Sequence, residues 1–129
     1  MKLSRAVSFL LALVFSLSCL ADPVDLAKQQ SLTPLEAAKL RQTVIFLDVR
    51  TDREWKMGHV KGAIHIPHNR VAGAIEASIP DRSIPVVVYC ASGGRAVSVI
   101  DTMRKKGYTA VPVLDGGYRQ LISNGMESE

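Results

Sequence analysis

Cysteine is scarce in this chain: two in 129 residues, Cys19 and Cys90. Cys19 lies in an apolar N-terminal stretch, so a processed chain would keep Cys90 alone. One cysteine forms no internal disulfide, which excludes a disulfide-stapled scaffold. There is no Cys-x-x-Cys pair, which argues against a thiol redox protein, because no resolving thiol is present. Cys90 is therefore either a small buried hydrophobe or a reactive thiol. Aromatics are also few, at 5%. Two of the three phenylalanines, Phe9 and Phe15, fall in the N-terminal stretch, which leaves no aromatic platform for stacking nucleobases. An excess of one charge is missing too. Without Lys2 and Arg5 the chain carries 14 basic and 12 acidic residues, too mild a balance for nucleic acid or a membrane surface.

Long hydrophobic runs are limited to one, Ala6 to Leu20, preceded by Lys2 and Arg5 and followed by Asp22-Pro23. This is the layout of a secretory signal peptide with Cys19-Leu20-Ala21 as the cleavage site. Roughly 20 apolar residues span a bilayer, and this run is shorter. Lipidation of Cys19 is the alternative, and Ser16-Leu17-Ser18 fits it poorly. The expected organisation is a leader over 1–21 and one domain over 22–129. The protein would be periplasmic or secreted, free of the membrane after cleavage, and monomeric.

What the domain does contain is an alternation of apolar runs and helix signals. Thr33-Pro34-Leu35-Glu36 is a capping box with Pro at the first helical position. The helix it opens runs to about Gln42. Apolar strands are predicted at 44–47, 63–66, 86–89 and 110–114, the last made irregular or placed at an edge by Pro112. Helices are predicted from Thr51 or Asp52 to Met57, and over 69–78, 94–106 and 118–123. Strands that are apolar throughout, separated by helices, indicate an α/β fold. Its parallel sheet of four to five strands would be covered by helices on both faces. In such sheets ligands bind beyond the carboxyl ends of the strands, where Asp48, Cys90 and Asp115 fall.

Cys90 is followed by Ala91, Ser92, Gly93, Gly94 and Arg95. Small residues let the backbone curl and aim several N–H groups inward, as an anion nest. The helix starting at Gly94 adds its positive end, and Arg95 adds a permanent charge. Together these favour a thiolate. The helix dipole contributes only about 0.3–1 kcal/mol, so the loop amides would carry most of the activation. Asp48, Arg50 and Glu54 sit near the same strand ends. Asp48 and Arg50 read first as a structural ion pair, Trp55 as core packing, and His59 as a structural hydrogen bonder. Arg104 to Lys106 reads as a solvated helix end. His59, His65 and His68 follow no zinc spacing, so no metal and no cofactor is expected.

Three segments resemble the rhodanese-like domain: Leu47 to Pro67, Cys90 to Arg95, and Leu114 to Tyr118. A short exported chain of this kind is similar to the single-domain periplasmic thiosulfate sulfurtransferases of Gram-negative bacteria. The resemblance implies that Cys90 takes a sulfane sulfur from a small anionic donor such as thiosulfate. It would hold that sulfur as a persulfide and pass it to cyanide or a thiol. Residues 91–95 would bind the donor. A persulfide carrier serving a protein partner is the alternative. The Cys-x4-Arg loop is one residue shorter than the Cys-x5-Arg loop of cysteine phosphatases. A smaller ring suits one sulfur atom and crowds a phosphoryl group. The family often has tryptophan after the Gly-Gly turn, where this chain has Tyr118. His65 stands where asparagine is common, and Ala96 replaces a frequent serine.

Overall fold

The computed structural model describes residues 25–129; the leader expected over 1–21 lies outside the described residues. The elements run β1 (Ser31–Leu32), α1 (Pro34–Lys39), β2 (Ile45–Asp48), α2 (Asp52–Lys56) and β3 (Ile64–His65). A 3-10 turn at His68–Arg70 then leads into α3 (Val71–Ser78), β4 (Val86–Tyr89), α4 (Gly94–Lys105), β5 (Val113–Leu114) and α5 (Tyr118–Ser123).

Every ladder between strands is parallel. β2 is central, with β3 on one side and β4 on the other, in the registers Leu47↔Ile64 and Leu47↔Val88. β1 and β5 form a second pair through Ser31↔Val113 and Leu32↔Leu114. The N–H of Val86 donates to the Ala110 carbonyl (2.9 Å), joining the approach to β5 onto β4. The expected last strand over 110–114 shortens to two residues. Pro112 has no N–H to give a ladder, and β5 is irregular at its start and pairs with β1 in a two-stranded ladder.

Successive side chains of the buried central strands point to opposite faces and divide the core in two. Leu47, Val86 and Val88 face one cluster with Ile75, Ile100 and Met103. Phe46, Val87 and Tyr89 face the other with Ala37, Leu114 and Leu121. α3 and α4 thus cover one face, and α1 and α5 the other. Each fully buried aliphatic side chain contributes about 1.5–3 kcal/mol, and this is what pins β2 and β4 in register.

The caps follow the sequence closely. Thr33 and Glu36 exchange side-chain bonds at the start of α1 (3.2 and 2.7 Å), and Thr51 and Glu54 do the same at α2 (3.2 and 3.2 Å). The three basic residues ending α4 are engaged rather than merely solvated. Arg104 donates to the Val111 carbonyl (2.7 Å), Lys105 pairs with Asp101 (2.8 Å), and Lys106 pairs with Glu76 (3.0 Å). Among the described residues no helix is long and apolar enough to cross a membrane.

Candidate active site

Cys90 immediately follows β4, at the carboxyl end of the sheet, and is 1% exposed. The chain then turns through Ala91, Ser92 and Gly93 and enters α4. Gly93 has φ +103°, a left-handed conformation that favours glycine. That turn brings its N–H to 2.9 Å from the Cys90 Sγ. Of the several amides expected around the sulfur, this one makes a hydrogen bond to it. The first N–H groups of α4, from Gly94 to Ala96, have no carbonyl of their own helix in front of them.

A second segment closes on the loop from below. The N–H of Tyr118 donates to the Cys90 carbonyl (2.9 Å). Gly117 lies so close that a Cβ there would sit 2.7 Å from the Cys90 carbonyl oxygen. Its φ of −148° is ordinary extended backbone, so the need for glycine at 117 is steric. The Gly116-Gly117 pair is therefore both a tight turn and a close backbone approach to the cysteine loop.

Arg95 is fixed by α2. Its two terminal nitrogens meet Glu54 in a bidentate pair (2.7 and 3.0 Å). The Arg95 hydrogen bond holds the Glu54 carboxyl well below its usual range, at about 2. The ion pair in turn raises Arg95. Glu54 thus does two tasks: it closes the α2 cap and anchors the arginine of the loop. Sequence reasoning placed Glu54 near the site without finding this partner 41 residues away.

Asp48 and Arg50 form the buried ion pair expected of them, 0% and 5% exposed, with the closest contact at 2.7 Å. Arg50 also donates to the Gly58 carbonyl (2.7 Å) and lies 4.2 Å from the Tyr118 ring centroid. Burial alone would lower the Arg50 guanidinium, but its bonds to Asp48 outweigh that and raise it. Burial, seconded by the Asp48 charge, pushes the Tyr89 phenol far above its ordinary range. Tyr89 accordingly stays neutral and accepts from the Val60 N–H (3.0 Å).

Trp55 differs from the expectation of core packing. It is only half-buried, and stacks on His59 and His65 with centroids 3.3 and 4.7 Å away. His59 is a structural hydrogen bonder, its Nδ1 3.0 Å from the Trp55 carbonyl. No group of histidine, cysteine or carboxylate side chains among the described residues could hold a metal ion.

Beside the loop opens a cleft of about 280 Å³, lined by Arg50, Glu54, Met57, Ala91, Tyr118 and Arg119. A larger cleft of about 570 Å³ lies at the opposite, amino end of the strands, lined by Arg41, Ile45, Lys61, Ile64 and Met126 among others. It is not lined by cysteine. The smaller cleft is the one that borders the cysteine loop.

The model of the rhodanese-like domain matches residues 31–124. The chain belongs to that family. Rhodanese-like relatives include thiosulfate sulfurtransferase 16 of Arabidopsis thaliana. It is 34% identical over 95 residues, covering 65% of this chain and 78% of the relative. The thiosulfate sulfurtransferase GlpE of Pseudomonas aeruginosa is 32% identical over 90 residues, covering 69% and 80%. Among solved structures, a rhodanese with anions from E. coli superposes with a TM-score of 0.59 at 30% identity. That match covers 66% of this chain and 95% of that one. The α/β fold and the assignment as a rhodanese-type sulfurtransferase, an enzyme, follow from these matches.

Proposed function

We propose that this rhodanese-type enzyme moves the outer sulfur of thiosulfate, or of a similar anionic donor, to a thiophilic acceptor through a persulfide on Cys90. The observation that carries the reading is the Gly93 N–H at 2.9 Å from the Cys90 Sγ. It lies inside a Cys-x4-Arg loop at the carboxyl end of the central sheet.

In the first half-reaction the Cys90 thiolate attacks the outer sulfur of thiosulfate. The new Sγ–S bond forms, the S–S bond of the donor breaks, and its electron pair leaves with sulfite. The enzyme keeps one negative charge on the persulfide. In the second half-reaction cyanide or a thiolate attacks that outer sulfur. The Sγ–S bond breaks, its electron pair returns to Cys90, and thiocyanate or a new persulfide departs. No oxidant is consumed. Sulfite leaves before the acceptor reacts with the covalent persulfide, so ping-pong kinetics are expected.

The loop 91–95 supplies positive potential without a mobile cation. Gly93 donates to the sulfur, and the opening N–H groups of α4 face a donor approaching from the carboxyl side. Arg95, tied to Glu54 by two hydrogen bonds, orients the loop. Arg50, fixed by Asp48, donates to the Gly58 carbonyl and lies over the Tyr118 ring, and so shapes the far wall.

The test is thiocyanate production from thiosulfate and cyanide. Wild type is expected to turn over, with Cys90→Ser inactive and equally well folded. A protein that gains sulfur yet makes negligible thiocyanate would be a carrier instead. Export to the periplasm or beyond, with cleavage after Ala21, is part of the same proposal. The mass of the protein recovered from cells tests it.

A further inference from the structure

The cleft beside Cys90 is larger than the reaction with cyanide requires. Its volume is about 280 Å³, near the lower limit of about 300–1,000 Å³ for sites that hold organic ligands. One water occupies about 30 Å³ of liquid, and cyanide is a two-atom ion. The walls suit an organic molecule as well. Met57 is 81% exposed at the mouth, an adaptable apolar contact left in solvent. Tyr118 supplies an aromatic face.

The charges of the cleft are unequal. Glu54 is neutralised by Arg95, and Arg50 by Asp48. Arg119, the first-turn neighbour of Tyr118 on α5, is exposed and lines the cleft. Among the described residues it makes no ion pair. Among the described residues the cleft therefore carries one uncompensated cation, on the wall beside the Tyr118 whose N–H holds the Cys90 carbonyl. A persulfide places its reactive sulfur about 2 Å beyond the Sγ, and Ala91, the residue after Cys90, lines the cleft.

We propose that the sulfur acceptor of this cleft is an organic thiol carrying a carboxylate, and that Arg119 selects it. This rests on the sulfur-transfer reading and specifies its second half-reaction. The acceptor thiolate attacks the outer sulfur of the Cys90 persulfide. A bond forms between the two sulfurs, the Sγ–S bond breaks with its electron pair kept by Cys90, and the acceptor leaves as its own persulfide. Arg119 takes no part in bond making. It holds the carboxylate by charge-assisted hydrogen bonds, while the carbon chain lies on Met57 and Tyr118.

In a two-step covalent cycle, kcat/KM for the acceptor reports the second half-reaction alone. The experiment compares 3-mercaptopropionate, 2-mercaptoethanol and 2-aminoethanethiol as acceptors, with thiosulfate as donor. Proteins are wild type, Arg119→Lys, Arg119→Gln and Arg119→Glu, each checked for an unchanged melting temperature. Comparing ratios between acceptors across proteins cancels their intrinsic reactivities. The ratio of the anionic to the neutral thiol is expected to fall about tenfold in Arg119→Gln. It should fall further in Arg119→Glu and be largely kept in Arg119→Lys. In wild type it should also shrink as salt is raised. The same ratio in all four proteins overturns the assignment even where cyanide turnover is normal. Absence of any turnover by wild type, with cyanide or thiol, overturns the sulfur-transfer reading itself.

Discussion

A Cβ on Gly117 would lie 2.6 Å from the carbonyl carbon of Ala91. Two backbone segments that are far apart in sequence therefore touch with no side chain between them. The Tyr118 N–H bond to the Cys90 carbonyl (2.9 Å) locks the contact. The loop that presents the thiol is held from outside as well as by its own turn.

Gly117→Ala should push the cysteine loop out of place, because the obstacle is backbone and cannot rotate away. A displacement on the order of 1 Å at a reacting atom costs about a hundredfold in rate. Thiocyanate formation is expected to fall by about that factor. Circular dichroism should show the sheet and helices intact.

Breaking the Asp48–Arg50 pair from one side should destabilise the protein strongly. Both residues are at most 5% exposed, so Asp48→Ala leaves a buried cation unpaired. The expected loss is about 3–5 kcal/mol, read by urea unfolding. Replacing both residues by apolar ones of similar volume should restore much of it.

The Glu54–Arg95 pair has a defined pH window. Glu54 is held at about 2 in the folded protein against an ordinary 4.5. A depressed carboxyl adds stability that is fully present above the unfolded value and is lost as pH falls through the folded one. Wild type should therefore exceed Glu54→Gln by about 1 kcal/mol above pH 4.5, the scale of a part-exposed bidentate pair. The two should converge towards pH 2. Denaturant midpoints across this range check the sign, and a difference that grew on acidification would contradict it.

The Tyr118 hydroxyl meets the Ser128 Oγ at 2.6 Å, and the C-terminal residues pair with the segment 59–61 through two bonds between His59 and Glu129 (3.0 and 2.9 Å). The tail thus braces the ring that covers Arg50. Tyr118→Ala should cost about 1–2 kcal/mol through the lost ring contacts and raise KM more than it lowers kcat. Ser128→Ala, which removes one part-exposed hydrogen bond, should cost under about 1 kcal/mol. Thermal melts and steady-state kinetics separate the two.

Most of this architecture was legible in the sequence where local chemistry suffices. Thr33 and Thr51 announce their helices through capping boxes, and Val86 to Tyr89 reads as a buried strand because every residue in it is apolar. β1 was not legible: Ser31–Leu32 is too short to carry a period, and it exists because β5 offers it a ladder. The cysteine loop could be read from its small residues and its arginine. Glu54 as the partner of Arg95 could not, since that pairing depends on where β2 and β4 place α2 and α4. The stacking of Trp55 on His59 and His65 escaped for the same reason. A lone tryptophan on a five-residue helix reads as core until the fold shows which face it turns outward.

The most direct measurement is the intact mass of the protein after incubation with thiosulfate and removal of the donor. Wild type should gain the mass of one sulfur atom, release it on addition of cyanide, and fail to gain it as Cys90→Ser. An unchanged wild-type mass, or a gain that persists in Cys90→Ser, would contradict a persulfide held in the Gly93 loop.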